Sequence, residues 1–310
     1  MATLRFLHVT CNMQKVKMRY HRPTSWKDAV ALKTEDPSAL PINGGTDVMV
    51  EINFDRARPP ALLDLSHIQE IRGWEAAGDS IRLGAGVTFG EVVAHLAGDL
   101  PGLAAAARTV GSPQIRNRGT VAGNLASASP AGDAHPPLLA SGATVEGESQ
   151  RGIRSIPIHD FYRGVKLSAL EPDELIRAIV VPRARGPQEF SKVGSRNAMV
   201  IAVVSFAIAL NIRERRVGTG IGSAAPTPVS AAAAQEFLEG ELAEGGHWDD
   251  PRPLDPSLLV RFGELVASAA SPIDDVRGTA DYRLHALEVM AQRTLSWAWE
   301  AHRSGGTDAD

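Results

Sequence analysis

The residue pattern predicts an α+β protein of more than one unit, and three observations carry that reading. The chain is 310 residues long, beyond the roughly 100–200 residues of an average domain. Hydrophobic residues make up 44% and charged residues 22%, a globular composition with enough apolar mass to build cores. Short strand patterns alternate with helical ones as far as Val181. After the proline- and glycine-punctuated segment Pro182–Pro187, strand patterns give way to three helical ones.

Residues 1–17 read as an irregular leader, with Met13 and Met18 each able to serve as the start. Tyr20–Thr24 is a short strand running into a helix cap, and Trp26, Ala29, Val30 and Leu32 give the helix an apolar face. Leu40–Val50 reads as strand, Gly44-Gly45 turn and helix, with Thr46 or Asp47 as the cap and Val48, Met49 and Ile52 facing inward. A helix starting there offers unpaired N–H groups to phosphate. Ala61–Leu65 is a buried strand and Ile68–Ile71 a helical turn, closing a small α/β lobe over 18–72.

The second lobe, 73–187, opens on the strand Ser80–Gly86. Glycines at 84, 86 and 90 miss the dinucleotide fingerprint, because Phe89 stands where its third glycine belongs. Thr88 and Glu91 instead form a capping box for the helix Val92–Leu96. A helix over Leu103–Val110 follows, packed structure resumes at Leu138–Ala140 and Ala143–Val145, and Ile153–Ile158 and Leu175–Val181 are strands. Residues 188–302 form a separate α+β domain. Met199–Leu210 there has the length of a helix and the composition of a strand, and periodicity does not decide between them. Val217–Ile221 is a strand candidate. The Gly220-Ile221-Gly222 turn is followed by Pro226 and Pro228, which bar the helix start of a Rossmann turn. Ala231–Leu238, Leu258–Ala269 and Tyr282–Trp299 are helices, the last with Leu284, Leu287, Met290 and Leu295 inward. Residues 303–310 form a tail.

Composition also excludes functions. A net charge of -4 gives no basic face for nucleic acid, and 5% aromatic residues provide no base-stacking platform. The single cysteine, Cys11, rules out an intrachain disulfide, an iron–sulfur cluster or a multi-thiolate zinc site built by this chain alone. No run reaches the ~18 apolar residues of a membrane helix. The apolar patch Leu4–Val9, interrupted by Arg5 and His8, is too short and charged for a signal peptide. A cytoplasmic protein with no membrane partner is expected.

The stretch Gly111–Asp133 (GSPQIRNRGTVAGNLASASPAGD) concentrates glycines among Thr120, Asn124, Ser127, Ser129 and Asp133. Such chemistry lets successive N–H groups converge on an anion such as a pyrophosphate, although a plain surface loop uses the same residues. Ile42–Asp47 repeats the chemistry after an apolar approach, and two such loops can hold the two ends of one nucleotide cofactor.

The sequence resembles a known family at this point. Asn43-Gly44-Gly45-Thr46-Asp47, Gly111–Thr120, Gly123-Asn124 and Ser129-Pro130-Ala131-Gly132-Asp133 are similar, in order and spacing, to the flavin-carrying medium subunit of the xanthine dehydrogenase and carbon monoxide dehydrogenase family. Lys192–Ala198, Ala225–Pro228 and Asp281-Tyr282-Arg283 extend the likeness, which covers about Met18 to Glu300. The resemblance implies a two-lobed PCMH-type, vanillyl-alcohol-oxidase-like FAD-binding domain over 18–187, followed by a smaller C-terminal domain. It implies that Leu40, Pro41, Ile42, Asn43, Gly44, Gly45, Thr46 and Asp47 line the first pyrophosphate loop, and that Thr120, Val121, Ala122, Gly123 and Asn124 line the second. Ser127 and Asp133 would hold phosphate and ribose, Ile176 would pack on the adenine side, and Lys192 would lie near the flavin and stabilise its reduced anionic form. An exposed linker lysine is the other reading of Lys192. In one departure, Ala122 replaces the first glycine of the family's usual pair, so its methyl either pushes the pyrophosphate outward or demands a negative φ.

The resemblance further implies partners: a small subunit with 2Fe-2S clusters and a large subunit with the molybdenum cofactor. The chain shows no acid–base constellation of its own, so no catalytic residue is expected beyond the FAD. Its expected role is a relay from partner clusters through FAD to a small-molecule acceptor, NAD, oxygen or a quinone. The alternatives are a free-standing FAD-dependent oxidase or dehydrogenase acting directly on a small molecule, and a non-catalytic nucleotide-binding scaffold. Other residues lean toward plain structure. His135 reads as a capping or solvated histidine, Trp248, Trp297 and Trp299 read as packing or interface residues, and Arg116 and Arg118 serve either phosphate or an acid across a subunit interface.

Overall fold

The computed structural model describes residues 18–305; the expected leader, Cys11 and the end of the tail lie outside the described residues. The first lobe is built on a parallel sheet. β1 (Arg19–His21), β2 (Ala39–Ile42) and β3 (Ala61–Asp64) lie in the order β1-β3-β2. β3 is central and buried along its whole length, so Ala61-Leu62-Leu63 shows no alternation. The crossover helix α1 (Trp26–Glu35) buries Trp26, Ala29 and Val30. Its cap is Ser25, whose hydroxyl accepts from the Asp28 N–H, one residue beyond the expected Thr24. α2 (Val48–Asn53) follows the Gly44-Gly45 turn but departs from expectation twice. Asp47 holds its cap position without a capping side-chain bond, and none of its residues is buried.

The second lobe carries an antiparallel sheet. β4 (Trp74–Ala77) and β5 (Ser80–Gly84) lead into α3 (Phe89–His95), α4 (Pro101–Thr109), α5 (Pro113–Arg116), α6 (Val121–Ser127) and α7 (His135–Ala140). β6 (Thr144–Ser149), β7 (Gly152–Pro157), α8 (Ile158–Phe161), the short hairpin β8 (Tyr162–Gly164) and β9 (Leu167–Ser168), and β10 (Leu175–Pro182) complete it. The strand order is β4-β5-β10-β6-β7. The Thr88–Glu91 capping box is present at the start of α3. Gly111–Asp133, read as a loop from its glycine and serine content, contains the two helices α5 and α6, each started by a hydroxyl cap, Ser112 and Thr120.

The C-terminal unit contains β11 (Gln188–Val193), β12 (Val204–Asn211) and β13 (Arg216–Gly222), paired antiparallel in that order. α9 (Ala232–Glu244), α10 (Pro256–Ser268) and α11 (Ala280–Arg303) supply its helices. The ambiguous Met199–Leu210 is thus a strand from Val204 onward. β12 is the middle strand, buried at every position but its last, and it packs against α11 and also against α7 of the preceding unit. Burial on both faces erases the period-2 signal that would have marked it. In α11, Leu284 is only half-buried and Arg283 is buried in its stead. The Arg283 guanidinium donates to the carbonyls of Val203 and Ser223 and to Asp275, clasping three loops to the helix.

One hydrophobic core runs from Trp26 to Val181 through both lobes, and a second runs from Val204 to Trp299. The two units meet where α7 lies on β13. A Cβ on Gly220 would come 2.0 Å from the Pro136 carbonyl oxygen, and one on Gly218 would come 1.8 Å from that of Ala140. Only glycine allows this approach, and Gly220-Ile221-Gly222, read from the sequence as a turn, is the end of strand β13. No helix among the described residues is long and apolar enough to cross a membrane.

Candidate functional site

The two glycine–threonine turns come from different lobes and meet backbone to backbone. A Cβ on Gly44 would lie 1.9 Å from the Arg118 carbonyl oxygen, and one on Gly119 would lie 3.3 Å from Thr46 Oγ1. Gly45 has φ +77°, in the left-handed region that favours glycine. The N–H groups of Gly44, Gly45 and Thr46 donate to no main-chain carbonyl among the described residues, leaving three consecutive donors for an anion. Upstream, Leu40, Pro41 and Ile42 belong to β2 or its end and aim the turn.

The second turn is fixed by the capping-box loop. Val121 N–H donates to the Val87 carbonyl at 3.1 Å and Phe89 N–H to that of Gly119 at 3.0 Å. Thr120 Oγ1 caps α6 by accepting from Gly123 N–H at 2.9 Å, and the hydroxyl proton stays available to donate. Val121 and Ala122 point into the core while Gly123 is exposed, so a ligand would meet the main chain of this turn. Ala122 lies in the first turn of α6 with no positive φ, so its backbone needs no glycine. Asn124 Oδ1 accepts from Ala134 N–H at 3.2 Å, and Ser127 Oγ donates to the Asn124 carbonyl at 2.7 Å. Ile176 is buried in the first core, on β10 beside a bulge.

Lys192 and Asp133 form an ion pair between the two units. Lys192 Nζ donates to Asp133 Oδ2 at 2.6 Å, with the side chains 7% and 10% exposed. Lys192 also donates to the Thr109 carbonyl at 3.3 Å. Burial pushes the Asp133 carboxyl above its ordinary pKa, with the Lys192 ammonium and the Thr109 hydroxyl pulling the other way. Asp133 Oδ1 is buried and has no hydrogen-bond partner among the described residues. Lys192 is therefore not an exposed linker residue.

His135, expected to cap or to be solvated, is fully buried, which lowers its pKa to about 4. Its Nδ1 pairs with the Tyr162 hydroxyl at 2.7 Å, and its Nε2 makes no hydrogen bond among the described residues. Nothing in a lone His flanked by Ala134 and Pro136 signalled this burial. Arg116 donates to the carbonyls of Val110 and Gly111 and so staples its own turn. Trp248 and Trp299 pack in the second core, whereas Trp297 is exposed.

Two clefts flank α5. One of about 440 Å³ is lined by Asn43, Gly44, Thr88, His95, Asn117 and Arg118 among others. The other, of about 480 Å³, lies between the Thr109–Pro113 and Gly194–Val200 segments and is lined by Lys192, Arg108, Arg116 and Arg196, with no carboxylate among the described residues. Ligand sites typically occupy about 300–1,000 Å³. Of the expected residues, Asn43 and Gly44 line the first cleft and Lys192 the second, while Gly45, Thr46, Gly123 and Asn124 line neither.

Fold and site together define a two-lobed flavoprotein domain of the vanillyl-alcohol-oxidase type with a smaller α+β domain behind it. The chain belongs to the family of FAD-binding domains in molybdopterin dehydrogenases, which matches residues 14–184. Residues 189–298 match the CO dehydrogenase flavoprotein C-terminal domain. The xanthine dehydrogenase FAD-binding subunit of Escherichia coli O157:H7 is 31% identical over 294 residues, spanning 90% of this chain and 95% of that protein. The carbon monoxide dehydrogenase medium chain of Afipia carboxidovorans is 31% identical over 288 residues, spanning 90% and 96%. A reconstituted CO dehydrogenase from Oligotropha carboxidovorans superposes with a TM-score of 0.83 at 29% identity, covering 92% of this chain and 98% of that one. The chain is thus an oxidoreductase subunit with FAD as its cofactor.

Proposed function

We propose that this chain relays electrons within a molybdenum hydroxylase-type dehydrogenase. It would take them from the 2Fe-2S clusters of a small partner subunit, supplied by a large subunit holding the molybdenum cofactor, and pass them to NAD, oxygen or a quinone. A cytoplasmic location fits that role. Residues 18–187 would form the FAD-binding domain and 188–302 the C-terminal domain.

The observation that carries this reading is the contact of Gly44 with the Arg118 carbonyl, which joins the two turns into one cradle. The residues fit the cofactor. Gly44, Gly45 and Thr46 offer unpaired N–H donors and would hold the pyrophosphate with Gly123, Asn124 and Ser127. Leu40–Asn43, Asp47 and Thr120–Ala122 would shape the cradle behind them, and Ile176 would support the adenine side. Because Lys192 and Asp133 share an ion pair, we assign both to the flavin end. The unpartnered Asp133 Oδ1 would accept from a ribityl hydroxyl, and the Lys192 ammonium would favour negative charge on the ring. Bound FAD supplies the exchange between one-electron and two-electron carriers. The protein's part is to hold that group, exclude water and set the local charge.

Purification from the native host, with a visible spectrum and metal analysis, tests the relay. FAD, iron and molybdenum in one assembly support it. A lone, FAD-loaded chain that oxidises a small molecule by itself would instead support the free-standing enzyme.

A further inference from the structure

We infer that the β8–β9 hairpin is a strap over the bound dinucleotide and that Lys166, at its tip, is a positioning residue that latches it. The inference rests on the reading that the two glycine–threonine turns hold FAD. Lys166 ties together the elements that leave those turns. Its main-chain N–H donates to the carbonyl of Ala128, the left-handed cap that ends α6, at 3.1 Å. Its Nζ donates to Glu51 Oε1 on α2 at 3.0 Å. α2 follows the first turn and α6 follows the second, so the hairpin tip spans from one to the other.

The two ends of the hairpin are held differently. Its root is fixed by the Tyr162 hydroxyl against the fully buried His135, two residues after Asp133, and by the Ala169 N–H donating to the Phe161 carbonyl at 2.7 Å. Its tip has no core under it. Val165 and Leu167 are 62% and 59% exposed, and α2 opposite them has no fully buried residue. The latch is itself an exposed pair, with side chains 61% and 32% exposed. Segments with few buried contacts open at little cost, and an exposed ion pair adds only a small restraint. A rigid root and a weakly held tip are what a reversible closure requires.

The test is the FAD release rate of the full chain, read by flavin fluorescence after dilution, for the natural protein, Lys166→Glu, Glu51→Lys and the double swap. Each single change should speed release about two- to fivefold, the scale of an exposed pair, and the swap should return the rate to near its natural value. Equal release from all four overturns the strap while leaving FAD binding intact. A natural chain that takes up no FAD removes the underlying reading and the strap with it.

Discussion

Lys192 Nζ lies 2.6 Å from Asp133 Oδ2, across 59 residues of chain, and pins the first strand of the C-terminal unit to the loop between α6 and α7. Removing one member of a buried ion pair strands the other without its counter-charge, at a cost of about 3–5 kcal/mol. Lys192→Met is therefore expected to lose that much in urea unfolding, and adding Asp133→Asn should recover a large part of it. A Lys192→Met chain with unchanged stability and unchanged flavin potential would show that the pair contributes neither to folding nor to the ring environment.

Gly44→Ala tests the cradle. Its methyl would meet the Arg118 carbonyl at 1.9 Å, a main-chain atom that cannot rotate away, so a loss of about 1–3 kcal/mol is expected together with a fall in retained FAD. Gly98→Ala is the control, because nothing lies within 4 Å of its Cβ position, and it should keep full FAD content. Equal FAD retention by the two variants would separate the turn from the ligand.

His135 makes stability depend on pH. An unfolded histidine takes up its proton near about 6.5, whereas in the fold burial holds uptake down to about 4. Between those values the unfolded chain binds more protons, so stability falls as pH drops through the window, by up to about 1.4 kcal/mol per pH unit. Above the window this residue adds no slope. Urea midpoints across the range should show the slope in the natural chain and a flatter one in His135→Asn; matching slopes would mean that His135 protonates freely in the fold.

Ala122→Gly should not improve the site. The residue is helical and buried, so glycine there costs roughly 0.5–1 kcal/mol in backbone freedom and relieves no strain. Isothermal titration with FAD should give equal or weaker binding for the variant. Tighter binding would restore the view that the Ala122 methyl crowds the pyrophosphate.

Much of the architecture was legible because its signals are local. Thr88 and Glu91 announced the start of α3 through side chains that cap main-chain groups three residues away. The Gly44-Gly45 turn declared itself by residues that only a tight approach requires. What stayed hidden was set by distant packing. β12 showed no alternation because helices cover both its faces, and β4 showed none because it is exposed throughout. The helices inside Gly111–Asp133 were obscured because hydroxyl caps and short turns use the same serines, threonines and glycines as loops. The His135–Tyr162 and Lys192–Asp133 pairs join residues far apart in sequence, and no spacing rule reports such contacts.

The most direct measurement is the flavin content of the purified full chain, with FAD released by denaturation and counted per polypeptide. The cradle proposed for Gly44, Gly45, Thr46, Gly123 and Asn124 predicts one FAD per chain. A folded chain that stays colourless after incubation with excess FAD would contradict the cofactor site and the electron-relay role built on it.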